Sequence, residues 1–410
     1  MGRALRPWLT SVVVLMIACA PPWVGLFGSR GVGDMYLYRM YAHRMERGLI
    51  PYHDFFFDWA PGSVPPVLAP VALPGPYYVA FHILTFAYAA LALLAVAYLL
   101  VLLGASTRRL YAATLAAAVV PFALGAIAID SLDYWPALFT TAGLAVLVAG
   151  RNRLGFGLLG FAIVAKLYAV FILPVALIWV WRRQSRDEAV RSLAVAAAVA
   201  FVVSLPFLVI GPTGLGFTVK SQIVRGLQME SLGASILMAL DHLGLYHAHV
   251  VVGQPYSLDV AGGVAKAIGA VFSLLTLATL LWIYRAYLRG RDEAQRLVTA
   301  SVAAVTAYVT LGRVLSPQYI VWLIPLVPLV AGTAGVVATG ALIAAAGVTM
   351  TWFPGRFWHL VAVSPVSWFA LLRNLLLVVA FAATAWPLLD RHQLEAGHTD
   401  QPGDGEVPER

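Results

Sequence analysis

The sequence predicts an all-α polytopic membrane protein of about twelve transmembrane helices, some short or broken, with interfacial helices in its outer loops. Three observations carry this. The chain is 61% apolar and only 11% charged, whereas a soluble domain is about a quarter charged. Apolar runs long enough to span recur from Trp8 to Leu389. Arginines fall at the edges of those runs, so the net charge of +8 reads as topology and no nucleic-acid partner is expected. A single cysteine, Cys19, excludes an internal disulfide and any cysteine-based metal site.

Taken in order, Arg3 and Arg6 place the N-terminus in the cytoplasm, and Trp8–Phe27 reads as a first span. Met16 to Cys19 approximate a lipoprotein cleavage site; a retained signal anchor is the reading adopted. Spans at 77–103, 110–129 and 134–150 alternate between the two sides, with Arg108, Arg109, Arg151 and Arg153 inside and the short acidic turn Asp130–Asp133 outside. The run 154–181 has arginines beyond both ends (Arg151 and Arg153; Arg182 and Arg183), so both ends are cytoplasmic. It therefore reads as two half-length helices meeting at Lys166, with Pro174 bending the second; broken helices are tolerated where they line a cavity. Further spans are expected at 189–210, 264–287, 297–311, 320–330, 336–352 and 366–389. Between the first two of these, 220–240 has the spacing of one amphipathic interfacial helix. Residues 1–389 form one membrane domain on this reading, and 390–410 a disordered cytoplasmic tail.

The chain is organised around Gly33–Pro66. This loop holds three aspartates (Asp34, Asp54, Asp58), two histidines (His43, His53) and three arginines (Arg39, Arg44, Arg47) among many aromatics. Acids beside aromatic rings at a water–lipid boundary suit chemistry on a lipid-borne substrate. Asp34 would cap a surface helix starting at Met35 or, if its carboxylate points into a cavity, serve as a general base. Tyr38 shares its face. Asp54 and Asp58, with His53 and Trp59 between and beside them, combine hydroxyl-binding acids with a ring on which a sugar can stack; alternatively Asp58 pairs with Arg39 or Arg44. Lys166, Arg225 and Arg313 all fall on the outer side, where they suit a phosphate leaving group; a snorkelling role is the alternative for Lys166. The scattered histidines His242, His247 and His249 complete no metal spacing. No cofactor is expected, with Mg or Mn on the aspartates left open. There is no phosphate-binding glycine loop, which directs the donor toward a lipid-linked sugar.

An aspartate just past the first span, followed by G-x-x-P-Y-x-D-F-x-x-x-x-x-P (Gly48 to Pro61), resembles the first outer loop of membrane glycosyltransferases of the GT-C fold. The segments Gln222–Ser231 and Arg313–Trp322 are similar to glycosyltransferase family 87, which includes polyprenyl-phosphate-mannose-dependent α-mannosyltransferases. The resemblance runs from about residue 10 to 388. It implies a plasma-membrane enzyme that moves a sugar, mannose in the commonest case, from a polyprenyl phosphate to a glycolipid or cell-envelope glycan on the extracytoplasmic face. It further implies inversion by one displacement, with Asp34 or Asp58 as base and Lys166, Arg225 and Arg313 on the leaving phosphate. Tyr38, His53, Asp54, Trp59, Gln222, Glu230, Gln318 and Tyr319 would contact sugar or acceptor. A transporter or flippase of a lipid-linked sugar is the competing reading.

Overall fold

The computed structural model describes residues 2–21, 33–253 and 257–389. The tail and the C-terminal part of the first predicted span lie outside those residues. Helices dominate. They are α1 (Gly2–Cys19), α2 (Met35–Glu46), α3 (Val64–Leu68), α4 (Tyr77–Leu102), α5 (Thr107–Leu124), α6 (Ile127–Asp130), α7 (Tyr134–Val148), α8 (Asn152–Ala165), α9 (Leu173–Arg183) and α10 (Arg186–Ile210). The chain continues through α11 (Pro212–Ile223), β1 (Leu227–Gln228), α12 (Leu232–His242), β2 (Val250–Val252), β3 (Leu258–Val260), α13 (Gly263–Arg289) and α14 (Ala294–Leu311). It closes with α15 (Ile320–Leu323), α16 (Gly332–Thr349), α17 (Phe357–Val361) and α18 (Ser367–Ala385). Among the described residues, six helices are long and apolar enough to cross a membrane: α1, α4, α10, α13, α16 and the stretch Ser367–Leu388. Of the remaining predicted spans, α5 and α14 are single 18-residue helices and the others are built from shorter pieces.

Packing follows the chain for the first half. α4 lies against α1 and α7, α7 against α8, and α8 against α10. α14 sits in the middle: all its residues except Ala294, Gln295 and Tyr308 are buried. It is held by α13 and α18, and α18 in turn packs on α16. α10 buries only Ala189, Ser192 and Ala196, and its remaining apolar surface faces outward. That is the pattern of a helix whose solvent is lipid.

The break at Lys166 is present and has a cause. Ser63 donates its hydroxyl to the Ala165 carbonyl at 2.7 Å. That carbonyl belongs to the last turn of α8, which has no partners of its own. Gly62 approaches so closely that a Cβ there would lie 2.8 Å from the Val164 carbonyl. Lys166 is extended, with φ −159° and ψ 124°, and a 3-10 segment, Leu167–Ile172, leads into α9.

Three expectations need correction. The single helix at 220–240 is two helices, α11 and α12, separated by Val224–Ser231. Past the end of α11, position 226 requires glycine, because the Asp259 carboxylate stands 2.6 Å from where a Cβ would lie. Ser231 starts the next helix by accepting the Ala234 N–H. Between them β1 joins a three-stranded antiparallel sheet in the order β1-β3-β2, with Leu227 opposite Val260 and Val250 on its other side. Neither α helix nor loop readings anticipated that sheet. The predicted span 320–330 is a short α15 between 3-10 turns at Pro317–Tyr319 and Val327–Leu329, all of it buried apart from Gln318. Pro317 opens the first 3-10 turn and Pro328 lies within the second, while Pro325, directly after the Ile324 cap, stops α15.

Gly62→Ala should force the loop off α8. The expected outcome is a loss of about 1–3 kcal/mol of stability, measured as a lower Tm in detergent.

Candidate functional site

The acids and cations gather at one end of the bundle, where α8 breaks and where residues 33–72 fold back over it. Asp34 stands at the N-cap position of α2 but makes no side-chain cap bond. Its carboxylate instead lines a cavity with Tyr38, Ile127, Asp130, Ser131, Gln318 and Phe353. Gln318 donates to its Oδ2 at 3.3 Å. Burial pushes its pKa up to about 6, against the opposing pull of Lys166 and Arg225. The capping reading is therefore replaced by that of a carboxylate turned into a cavity.

Asp58 comes from the same loop and meets neither Arg39 nor Arg44. Arg39 reaches His43, and Arg44 lies over the Phe55 ring. Gln222 donates to Asp58 Oδ1 at 3.3 Å, and Arg225 stands 4.0 Å from Oδ2. Burial again raises the Asp58 pKa, opposed by Arg225 and then Lys166. Lys166 does not snorkel. Its Nζ is 3.2 Å from Asp133 Oδ1 and lies over the rings of Tyr319 and Trp322. Asp133 is fully buried and also accepts from Trp322 Nε1 at 2.5 Å, while its Oδ2 has no partner. The Trp322 ring is stacked between Tyr319 and Tyr168, at 3.9 and 4.4 Å.

Asp133 is the residue that sequence reasoning missed. It was read as half of an acidic turn. The available signal was two acids, Asp130 and Asp133, flanked by uncharged spans on the same side as the Gly33–Pro66 loop.

Glu230 is also buried and lies close enough to Asp34 for the two charges to oppose each other. Gln228 donates to its Oε2 at 2.7 Å and accepts from the Leu315 N–H at 2.7 Å. Burial raises the Glu230 pKa to about 8, so the group is mostly protonated at neutral pH.

Several predicted site residues belong elsewhere. Arg313 donates to the Ile223 carbonyl, and thereby fastens the end of α11 next to Arg225. It holds the segment that carries a site cation and does not itself meet the acids. His53 and Asp54 form an exposed turn: their side chains pair at 2.8 Å, and Asp54 Oδ2 accepts the Ile50 N–H at 2.7 Å. These two bonds lower the Asp54 pKa. Trp59 is buried among Tyr38, Tyr41 and Phe57, where it packs the loop and offers no open face. Tyr38 does both jobs, lining the cavity and stacking on Phe81 at 5.3 Å. Among the described residues, no group of three or more His, Cys, Asp or Glu side chains is placed to hold a metal ion.

The fold and site together define a polytopic α-helical membrane protein with a cluster of acids and cations at one end of the bundle. No protein-family model matches the chain. It is similar to alpha-(1->6)-mannopyranosyltransferase A of Mycobacterium tuberculosis, 28% identical over 265 residues, which cover 61% of this chain and 46% of that protein. The chain thus spans about half the length of the curated relative it matches. Among solved structures it resembles ArnT from Cupriavidus metallidurans bound to undecaprenyl phosphate, with a TM-score of 0.50 at 13% identity over 94% of this chain and 78% of ArnT. At that identity the likeness shows a shared fold.

Glu230 gives a test of these electrostatics. Its folded pKa of about 8 lies above the ordinary glutamate value of 4.5, so the folded state holds a proton that the unfolded chain releases. Stability is then fully present below pH 4.5 and falls as pH rises toward 8. Glu230→Gln imitates the protonated form. Its Tm should match wild type at pH 5 and exceed it progressively up to pH 8; parallel Tm curves would refute the assignment.

Proposed function

We propose that the protein transfers a sugar, mannose, from a polyprenyl-phosphate donor to a hydroxyl of a glycolipid or cell-envelope glycan, with inversion at the anomeric carbon. The observation that carries this reading is Asp34: a carboxylate at a helix start that caps nothing, partly desolvated in a cavity, with Lys166 and Arg225 within electrostatic range. The name of the mycobacterial relative and the undecaprenyl phosphate bound to the structural neighbour support the choice of sugar and of donor.

In the proposed reaction Asp34 accepts the proton of the acceptor hydroxyl as its oxygen attacks the anomeric carbon. The bond from that carbon to the phosphate oxygen breaks, and polyprenyl phosphate leaves. Its developing charge is met by Lys166 and Arg225, which gain most at the transition state. Asp133 keeps Lys166 in place through the 3.2 Å contact, and Trp322 fixes Asp133 in turn. Asp58 and Gln222 hold Arg225 from its other side. Each aspartate accepts from one glutamine at 3.3 Å; the geometry favours Asp34 as base because Asp58 alone also faces the Arg225 cation at 4.0 Å.

On this reading the reacting end faces the extracytoplasmic side. The arginines at the other helix ends support that orientation: Arg153 pairs with Glu188, and Arg182 with Asp292, in the connections preceding α10 and α14.

Asp34→Asn should lower transfer from polyprenyl-phosphate-mannose by about 100- to 10,000-fold without changing the elution profile or Tm. Preserved turnover would remove Asp34 from the base role. In wild type, kcat/KM should fall as pH drops through about 6, because protonated Asp34 cannot accept a proton. Arg225→Gln should raise the donor KM by roughly 10- to 100-fold, the worth of a charge-assisted bond, and leave the acceptor KM near wild type. A change confined to the acceptor would contradict that placement.

A further inference from the structure

Behind Asp34 lies a group of polar side chains that the reaction above does not use. Arg373 and Asn374, on the second turn of α18, are buried to 0% and 1% exposure. Each spends part of its capacity on the Glu230 carbonyl, Arg373 Nη2 at 2.8 Å and Asn374 Nδ2 at 3.1 Å. The rest of that capacity is unspent. Arg373 Nε and Nη1, Asn374 Oδ1, Glu230 Oε1 and Trp352 Nε1 are all buried with no hydrogen-bond partner. The Arg373 guanidinium lies 5.6 Å from the Trp352 ring centre, so these atoms belong to one neighbourhood. A buried unpaired polar atom costs about 1–3 kcal/mol, and arginine within a membrane segment is expensive and tends to be functional. Five such atoms in one cluster point to a partner that supplies both donors and acceptors.

Its position says which partner. Asp34 stands within electrostatic range of Lys166, Asp58, Asp133 and Arg225, the side where a phosphate is met. Glu230 is influenced by Arg373, Gln228 and Asp34, and Asp58 by Arg225 and Lys166. Asp34 thus feels the charges of the phosphate side, and Glu230 in turn feels Asp34. Phe353, the chain neighbour of Trp352, lines the cavity beside Asp34. A base must face the hydroxyl it deprotonates, with the leaving group across from it.

We propose that Arg373, Asn374, Trp352 and Glu230 form the subsite that seats the acceptor's sugar ring, their free donors and acceptors pairing with its vicinal hydroxyls while Asp34 waits at the reacting one. A sugar hydroxyl both donates and accepts, which matches the mixed set of free atoms: three N–H donors on Arg373 and Trp352, an acceptor on Asn374, and a carboxyl oxygen on Glu230. The assignment of this ring to the acceptor rests on the transfer reaction proposed above; the subsite itself does not.

The test uses full-length protein in detergent, octyl α-mannoside as the acceptor probe, and a short-chain polyprenyl-phosphate-mannose as donor. Trp352→Phe is the informative variant. It removes one N–H that has no partner in the fold and keeps the ring. Glu230→Leu, which removes the carboxyl's donor and acceptor at similar volume, is the second. Binding of octyl α-mannoside without donor is followed by microscale thermophoresis, and transfer kinetics are measured in parallel. The expected result is a five- to tenfold weaker affinity and an equally raised acceptor KM for each variant, with an unchanged donor KM. Unaltered acceptor affinity and KM in both variants would overturn the proposal, leaving a cluster satisfied by water. So would a wild type that does not bind the mannoside. If the wild type binds, the variants lose binding, and no transfer from any polyprenyl-phosphate sugar is seen, the subsite stands and the transfer reading falls.

Discussion

The ion pair between Lys166 and Asp133 is the contact on which the site end depends. Two charges only 3.2 Å apart, one fully buried, gain little net stability, because desolvation offsets their attraction. An apolar pair of similar volume would hold the helices as well. What the pair achieves is position. Lys166 sits at the point where α8 stops, and α8 stops where Ser63 takes its last carbonyl and Gly62 presses on its backbone. Asp133 starts α7, and Trp322 of α15 locks it. One contact therefore ties together the first loop, the broken helix and the central short helix. Asp34 and Asp58 hang from the first of those elements, and Gln318 precedes the last.

Around that knot the polar groups are asymmetric. The Lys166, Asp133, Asp58 and Arg225 side is nearly charge-balanced, two acids against two cations, and a phosphate arriving there would compete with carboxylates for the same donors. The Glu230 and Arg373 side is different. Its carboxyl is mostly neutral at pH 7, and its free atoms suit hydroxyls better than anions. Asp34, raised to about 6, is ionised at neutral pH and yet basic enough to take a proton. A carboxylate at its ordinary value would be a weaker base, and one raised as far as Glu230 would be blocked by its own proton. The difference follows from the cations beside Asp34, which offset part of the cost of burial.

Much of this was readable in the sequence. The first outer loop, the helix break at Lys166, and the placing of Lys166 and Arg225 on the same side as the loop's acids follow from charge placement in an apolar chain. That signal is strong because each misplaced charge is costly in lipid. What failed were readings that depended on local spacing. At 220–240 helical periodicity survived through Gly226, although the β1–β3 pairing and the Asp259 side chain decide that segment from far along the chain. His53, Asp54 and Trp59 looked chemical because acids and rings were adjacent in sequence. The turn folds the first two outward and packs the third inward. Arg313 was chosen for its helix-end position, and a helix end is where an arginine also finds a free carbonyl, here that of Ile223. Asp133 escaped because a short acidic turn carries no sign of the lysine it will meet.

The distribution of charge through the bundle bears on whether this is a place of reaction or a passage. A path through the membrane would need polar groups along it. α14 is the helix such a path would have to follow, since it runs buried through the centre. Between Arg296 at one end and Gly312 at the other it carries only hydroxyls, and Thr299 and Thr306 return theirs to carbonyls of their own helix. Thr310 bonds to Leu377 of α18. At the end remote from Asp34, Arg109 closes on the Leu329 carbonyl and Arg182 on Asp292, contacts that brace turns. Among the described residues, most of the unspent buried donors and acceptors on charged and amide side chains lie instead around Asp34 and Glu230, with Asp292 Oδ1 at the other end. Among the described residues, the polar groups gather at one face as the proposed transfer requires, and between Arg296 and Gly312 α14 offers no charged or amide group for a route across. Reaction at a surface explains that arrangement, and transport leaves it without a cause.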